Sequence, residues 1–237
     1  MRILAIESSA VPASCCVWED GRILAHASQH GALQHSRTLL PMCEEVLARC
    51  GAALSDMHYI AVAAGPGSFT GVRIGVAAVK GLSFADDIPC IPVSTLEALA
   101  CRVEGLPFTG TVCTVLEVRA GQVYTACVAA EDGTLTLLTE DEAMTLTGLV
   151  ERLKNVKKPI LLLGDGAELC YNTLKDGCPD LRVAPAAWRY QDALGVAAAA
   201  AKATDRAVDG AALLPHYLRL PQAERELRAK NGAADKP

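Results

Sequence analysis

The strongest constraint on the fold is a pattern that occurs twice, in the same order. Residues 2–7 form an apolar run that ends in Glu7, residues 14–19 a second run, and residues 22–28 a third after Asp20-Gly21. Asp-Gly between two β-prone runs predicts a tight two-residue hairpin, because both turn positions need positive φ. The series recurs as 111–117, ending in Glu117, then 122–129, Asp132-Gly133 and 134–138. Helix and strand signals follow each time. In the first half they predict a helix over 36–50, with Leu39, Leu40, Cys43, Val46 and Leu47 on one face and Gly51 as its stop. Pro41 marks that helix's first turn or kinks it. A strand over 58–64, a helix over 70–84 and a strand over 88–93 come next, and Ser94-Thr-Leu-Glu97 reads as a capping box opening another helix. In the second half the signals predict a helix over 147–154, a strand over 159–163, a helix over 167–175 and an alanine-rich helix over 192–206. The ordered match predicts a duplicated α/β fold, with two mixed sheets flanked by helices. One lobe is assigned to residues 1–105 and the other to 106–220, with the boundary near Val103–Gly110. The charged tail, 221–237, is expected to fray.

The chain is long enough to hold such a fold without staples. A compact protein of 237 residues buries roughly 70–75% of its unfolded surface. Aromatics are only 4% of the chain and alanine is abundant, so small and aliphatic side chains must build the core. The ten cysteines contain no C-x-x-C pair, which argues against zinc ribbons and thioredoxin-like chemistry. Cys90, Cys113 and Cys127 sit inside apolar runs, where cysteine behaves as a small hydrophobe, so free thiols in a reducing compartment are expected. Net charge is −5, without a broad basic stripe. Nucleic-acid binding draws on basic surface, so RNA is expected only through another subunit of a complex. No stretch approaches the ~18 apolar residues of a membrane span, and Glu7 ends the first apolar run short of a signal core. A cytoplasmic protein with no membrane contact is expected.

The richest segment is Gly65-Pro66-Gly67-Ser68-Phe69-Thr70-Gly71-Val72-Arg73-Ile74-Gly75. A glycine loop between strand and helix suggests a phosphate cradle, since helix N-terminal amides bind anions. The segment lacks the Lys-Ser/Thr of a P-loop and the glycines of a nucleophile elbow. It also reads as a structural strand-to-helix turn, built on Gly65, Pro66 and Gly67, with Ser68 or Thr70 capping the helix. The helix beyond carries Gly71, Gly75, Ala78 and Gly81 on one face. Each glycine costs up to ~1 kcal/mol of helix stability, which close approach of another body offsets. That body is either another part of the chain or a partner protein. Glu7 and Glu117 are an acid/base or metal-binding pair across a cleft, or each binds its own neighbouring turn. Glu7, Ser8 and Glu117 are the candidate nucleotide contacts. His26, His30 and His35 are spaced for a metal only on a helix, and the residues before them look extended.

These segments carry a resemblance. Ile3-Leu-Ala-Ile-Glu-Ser-Ser9, His35-Ser36 with Leu39-Leu40-Pro41, the 65–75 string, Val93-Ser-Thr-Leu-Glu-Ala98, Gly121-Gln-Val-Tyr124 and Pro215-His-Tyr-Leu-Arg219 occur in order. Together they resemble the TsaB family of bacterial tRNA threonylcarbamoyladenosine biosynthesis proteins over residues 1–219. The resemblance implies a duplicated actin-like ATPase (ribonuclease H-like) fold and a non-catalytic subunit. It implies a heterodimer with the related TsaD-like transferase subunit, recruitment of a TsaE-like ATPase, and a homodimer when alone. This subunit alone holds no cofactor; ATP and tRNA are handled by the complex. The interface implied lies on the two first-lobe helices, at Leu39, Cys43, Val46, Gly71, Val72, Gly75, Ala78, Val79 and Leu82. Two positions depart from the family pattern, which has Asp where Glu7 and Glu117 stand. Ala64 stands where the family often has Arg. The alternatives are an actin-like small-molecule kinase and a degenerate TsaD-like catalytic paralogue. The first needs glycine-rich hairpins that Ser8-Ser9-Ala10-Val11-Pro12 does not supply, the second a His-x-x-x-His metal pair on a first-domain helix, and no histidine stands between His58 and His216.

Overall fold

The computed structural model describes residues 1–31, 34–118, 121–178 and 180–219; the tail expected to fray lies outside them. The first half builds β1 (Arg2–Glu7), β2 (Pro12–Glu19), β3 (Arg22–His30), α1 (His35–Arg49), β4 (Tyr59–Gly65), α2 (Phe69–Ser83), β5 (Cys90–Ser94) and α3 (Thr95–Cys101). The second builds β6 (Gly110–Val118), β7 (Gln122–Glu131), β8 (Thr134–Leu137), β9 (Glu142–Thr145), α4 (Leu146–Lys154), β10 (Ile160–Leu163), α5 (Ala167–Leu174), β11 (Leu181–Val183), α6 (Ala186–Arg189) and α7 (Ala193–Ala200). The sheets run β3-β2-β1-β4-β5 and β8-β7-β6-β10-β11, with β9 pairing with a separate part of β7. In each, the central strand pairs antiparallel with the next strand and parallel with the one beyond the helix. The two sheets therefore share one topology. Both hairpin turns hold positive φ at two successive residues, Asp20 (45°) with Gly21 (87°) and Asp132 (47°) with Gly133 (82°). That is what a type I′ turn requires.

Strand periodicity explains the layers. In β1, Leu4 and Ile6 face α1 and α2, while Ile3 and Ala5 face α7. Both faces are covered, so the strand reads as one continuous apolar run. The second sheet packs α4 and α5 on one face, through Leu149, Leu153, Cys170 and Leu174, and α3 on the other, through Leu96 and Leu99. Helices α3 and α7 thus lie between the sheets, and they approach closely: a Cβ on Gly195 of α7 would sit 2.1 Å from the Ala98 carbonyl oxygen.

Three expectations change. The alanine-rich helix ends at Ala200 rather than continuing to 206, and a 3-10 turn follows at Thr204–Arg206. There the chain reverses to bring Val208 against Cys90. Ser94 caps α3 by accepting from the Leu96 and Glu97 amides, but the Glu97 carboxylate binds Arg206 instead of closing a capping box. Residues from Ala193 onward, assigned to the second lobe, pack on the first: Ala193, Val196 and Ala197 join the core of β1, β4 and β5, and Leu213 joins that of α1 and α2. All ten cysteines are free thiols, eight of them buried. Among the described residues no helix is long and apolar enough to cross a membrane.

Candidate functional site

The predicted site residues gather where β1 ends. Glu7 is fully buried. One carboxyl oxygen, Oε1, accepts from the Ser9 amide at 2.6 Å, while Oε2 has no partner among the described residues. Burial pushes the Glu7 carboxyl up to about 7, against the opposing pull of the Ser9 hydrogen bonds. The charge of Asp192, at the N-terminus of α7, adds to the upward shift. Asp192 itself is drawn below the ordinary carboxylate value. Burial works against its charge, but His26 at 3.1 Å, the Leu194 amide and Arg102 outweigh it. Ser14, opposite Glu7 across β1–β2, accepts from the Ala193 amide at 2.8 Å. The end of β1 is therefore a closed internal polar junction.

Glu117 lies one residue before the end of β6 in the other lobe but is exposed, and its amide donates to Asp165 Oδ1 at 2.9 Å. One carboxylate is sealed and the other open, and no hydrogen bond joins them. The structure does not bring them together as an acid/base pair. The histidines also go separate ways. His26 meets Asp192, His30 packs edge-on against Tyr190, and His35 contacts the Ala10 carbonyl at 2.8 Å.

The glycine loop follows its structural alternative. Ser68 caps α2 by accepting from the Gly71 amide at 3.3 Å, and its own amide donates to the Ser9 carbonyl at 2.7 Å. A Cβ on Gly67 would lie 2.5 Å from the Ser9 carbonyl oxygen, and one on Gly65 2.3 Å from that of His216. Thr70 is exposed and Pro66 buried. The close approach these glycines permit is to the chain's own backbone. Sequence reasoning missed the partner on the far side of the loop. His216 donates its amide to the Ala64 carbonyl at 2.7 Å, and Arg73 donates to the Tyr217 hydroxyl at 2.9 Å while lying 3.8 Å over the Phe69 ring. Phe69 and Tyr217 stack at 4.7 Å. The 65–75 string and the Pro215–Arg219 segment thus meet in space.

The bare helical face needs a correction. Ser8 fills it: a Cβ would lie 2.1 Å from the Ser8 carbonyl oxygen at Gly71 and 2.4 Å from Ser8 Oγ at Gly75. The Ser8 hydroxyl donates to the Gly71 carbonyl at 3.0 Å. Leu39, Cys43, Val46, Gly71, Val72, Gly75 and Val79 are buried within the chain, because the first sheet takes the apolar stripe of each helix for its own core. Ala78 and Leu82 are half-buried at its edge. What stays open is Leu40 on α1, 43% exposed, and Phe84, the residue that follows α2, 85% exposed. Gly81, near the end of α2, is also exposed, with open space where a Cβ would point.

Comparison with known proteins adds what geometry alone does not. A family model for TsaD, tRNA N6-adenosine threonylcarbamoyltransferase, matches residues 25–226. The chain is 33% identical over 224 residues to the tRNA threonylcarbamoyladenosine biosynthesis protein TsaB of Bacillus subtilis, covering 94% of this chain and 96% of that one. Its similarity to the tRNA N6-adenosine threonylcarbamoyltransferase of Fusobacterium nucleatum is 36% over 109 residues, but covers only 39% of this chain and 32% of that protein. Among solved structures, a Pseudomonas aeruginosa protein described as similar to peptidase YeaZ superposes with a TM-score of 0.76 at 27% identity, covering 92% of this chain and 99% of that one.

Proposed function

The chain belongs to the TsaB family of tRNA threonylcarbamoyladenosine biosynthesis proteins, and from that membership we propose that it is a non-catalytic scaffold subunit. Its complex transfers a threonylcarbamoyl group from threonylcarbamoyl-AMP to N6 of adenosine 37 in tRNAs reading codons that begin with A. The chain binds and supports a TsaD-like catalytic subunit as a heterodimer and helps recruit a TsaE-like ATPase. ATP is consumed by the complex through those partners. The observation that carries the scaffold role is the closed junction at β1: Glu7 is sealed, Gly67 is filled by Ser9 and Gly71 by Ser8. An actin-like kinase needs that junction open to phosphate. The match to a TsaD model relates this chain in sequence to the partner proposed for it.

The partner face proposed is the outer side of α1 and α2, around Leu40, Gly81 and Phe84. Gly81→Leu tests it. Leucine is the better helix former by up to about 1 kcal/mol, and nothing in the chain meets the new side chain, so the purified variant should melt no earlier than wild type. At a packed interface the same side chain costs about 1–3 kcal/mol, which weakens association with the TsaD-like subunit roughly 5- to 150-fold. Wild-type affinity in a well-folded Gly81→Leu variant would move the interface elsewhere.

The isolated chain should also turn over no ATP above background and should not bind tRNA specifically at physiological salt. Its net charge of −5 gives little counterion release. Calorimetric or filter-binding titration checks this, and submicromolar tRNA affinity by the chain alone would overturn the assignment of tRNA binding to the complex.

A further inference from the structure

A cavity of about 760 Å³ opens between the lobes beside α3, lined by β5, α3, β7, β8 and the returning C-terminal segment. Its size suits a small organic molecule. One wall is apolar, formed by Leu96, Ala100, Val128, Leu135 and Leu137, and Leu137 is 63% exposed. The charges around it do not balance. Lys202 is answered by Glu104, and Arg206 by Glu97 at 2.9 Å. Neither Glu140 nor Asp141 pairs with a lysine or arginine among the described residues, and the one basic group acting on Asp141 is the His216 imidazole, which lines the same cavity. Asp141 is half-buried and is held by one neutral donor, the Ser94 hydroxyl, at 2.6 Å. Burial raises the Asp141 carboxyl, against the Ser94 hydrogen bond and the nearby His216.

We propose that this cavity binds a small amphipathic organic cation, with its ammonium or guanidinium group on Asp141 and Glu140 and its hydrocarbon body along the Leu96–Leu137 wall. A cation completes the hydrogen bonding of a half-buried carboxylate with a charge-assisted contact. An anion of the same shape meets two carboxylates that no lysine or arginine pairs. This site is separate from the Glu7 junction and does not depend on the scaffold role.

The test is a calorimetric titration of the full chain with two probes sharing one hydrocarbon body, 4-phenylbutylammonium and 4-phenylbutanoate. The ammonium is expected to bind roughly tenfold or more tightly than the carboxylate. Asp141→Asn should bring the two probes to similar affinity while the melting temperature holds. Glu140→Gln, at an exposed position, carries the same comparison if the first variant is destabilised, and should narrow the preference. Leu137→Ser should weaken the ammonium without changing its preference over the carboxylate. Equal binding of both probes, or no heat from either at millimolar concentration, would overturn the proposal.

Discussion

Gly71→Ala, the addition of one methyl group, should lower the melting temperature of the isolated chain by about 10 °C. The new Cβ would lie 2.1 Å from a backbone oxygen, the Ser8 carbonyl, which cannot rotate away as a side-chain end can. Ser8 is fixed from both sides, by its hydroxyl bond to the Gly71 carbonyl and by its place between Glu7 and Ser9 in the sealed junction. Relief therefore means moving α2 off the first sheet. Overpacking of this kind costs about 3 kcal/mol or more, and each kcal/mol is worth roughly 2–4 °C in a chain of this size. Gly75→Ala should act in the same direction, with its Cβ 2.4 Å from Ser8 Oγ. Gly81→Ala, on the same helix, should do the opposite and gain about 0.5–1 kcal/mol from helix propensity alone. Differential scanning calorimetry of the three variants reads the contrast. A Gly71→Ala chain that melts with wild type would show that α2 does not rest on Ser8.

The second large effect concerns acidity. Glu7 titrates near 4.5 in the unfolded chain and near 7 in the folded one, because burial disfavours its charge. Between those values the folded state keeps a proton that the unfolded state has released. The stabilisation is therefore complete below about pH 4.5, shrinks as pH rises, and is gone once the folded carboxyl has ionised above about 7. The loss over this window is on the order of 3 kcal/mol. Glu7→Gln keeps an acceptor for the Ser9 amide and removes the titration. Urea unfolding from pH 5 to pH 8 should show wild-type stability declining relative to the variant, and the variant should be the more stable of the two at pH 8. Parallel profiles would mean that Glu7 titrates alike in both states.

The contrast among these glycines also shows what a sequence can carry. The run Gly71, Gly75, Ala78, Gly81 declares that side chains are absent, and so that something approaches. It does not say what. Two of its positions meet Ser8 and one meets open space, a division that only the packed chain draws. The hairpins were legible because Asp-Gly fixes a backbone conformation locally. Strands β9 and β11 were not, since Glu142–Thr145 and Leu181–Val183 are too short and too exposed to show a period. Helix α7 was visible as a helix but not as a guest of the other lobe. Ala193–Ala200 is apolar on nearly every side, so no stripe marks the surface it seeks. The sealing of Glu7 was hidden for a related reason. The residues that enclose it, Ser9, Ser14 and Asp192, come from opposite ends of the chain.

The return of the C-terminal segment to the first lobe sets a schedule for the newborn polypeptide. The core of β1, β4 and β5 lacks one wall until Ala193, Val196 and Ala197 arrive, and that of α1 and α2 lacks Leu213. Roughly 90 residues separate the end of α3 from the start of α7, which a ribosome takes about 5–20 s to synthesise. Until then the first sheet has an apolar face uncovered. The second lobe, β6 to β11, is contiguous and can close within its own stretch of translation. The half of the molecule made first is thus the half completed last.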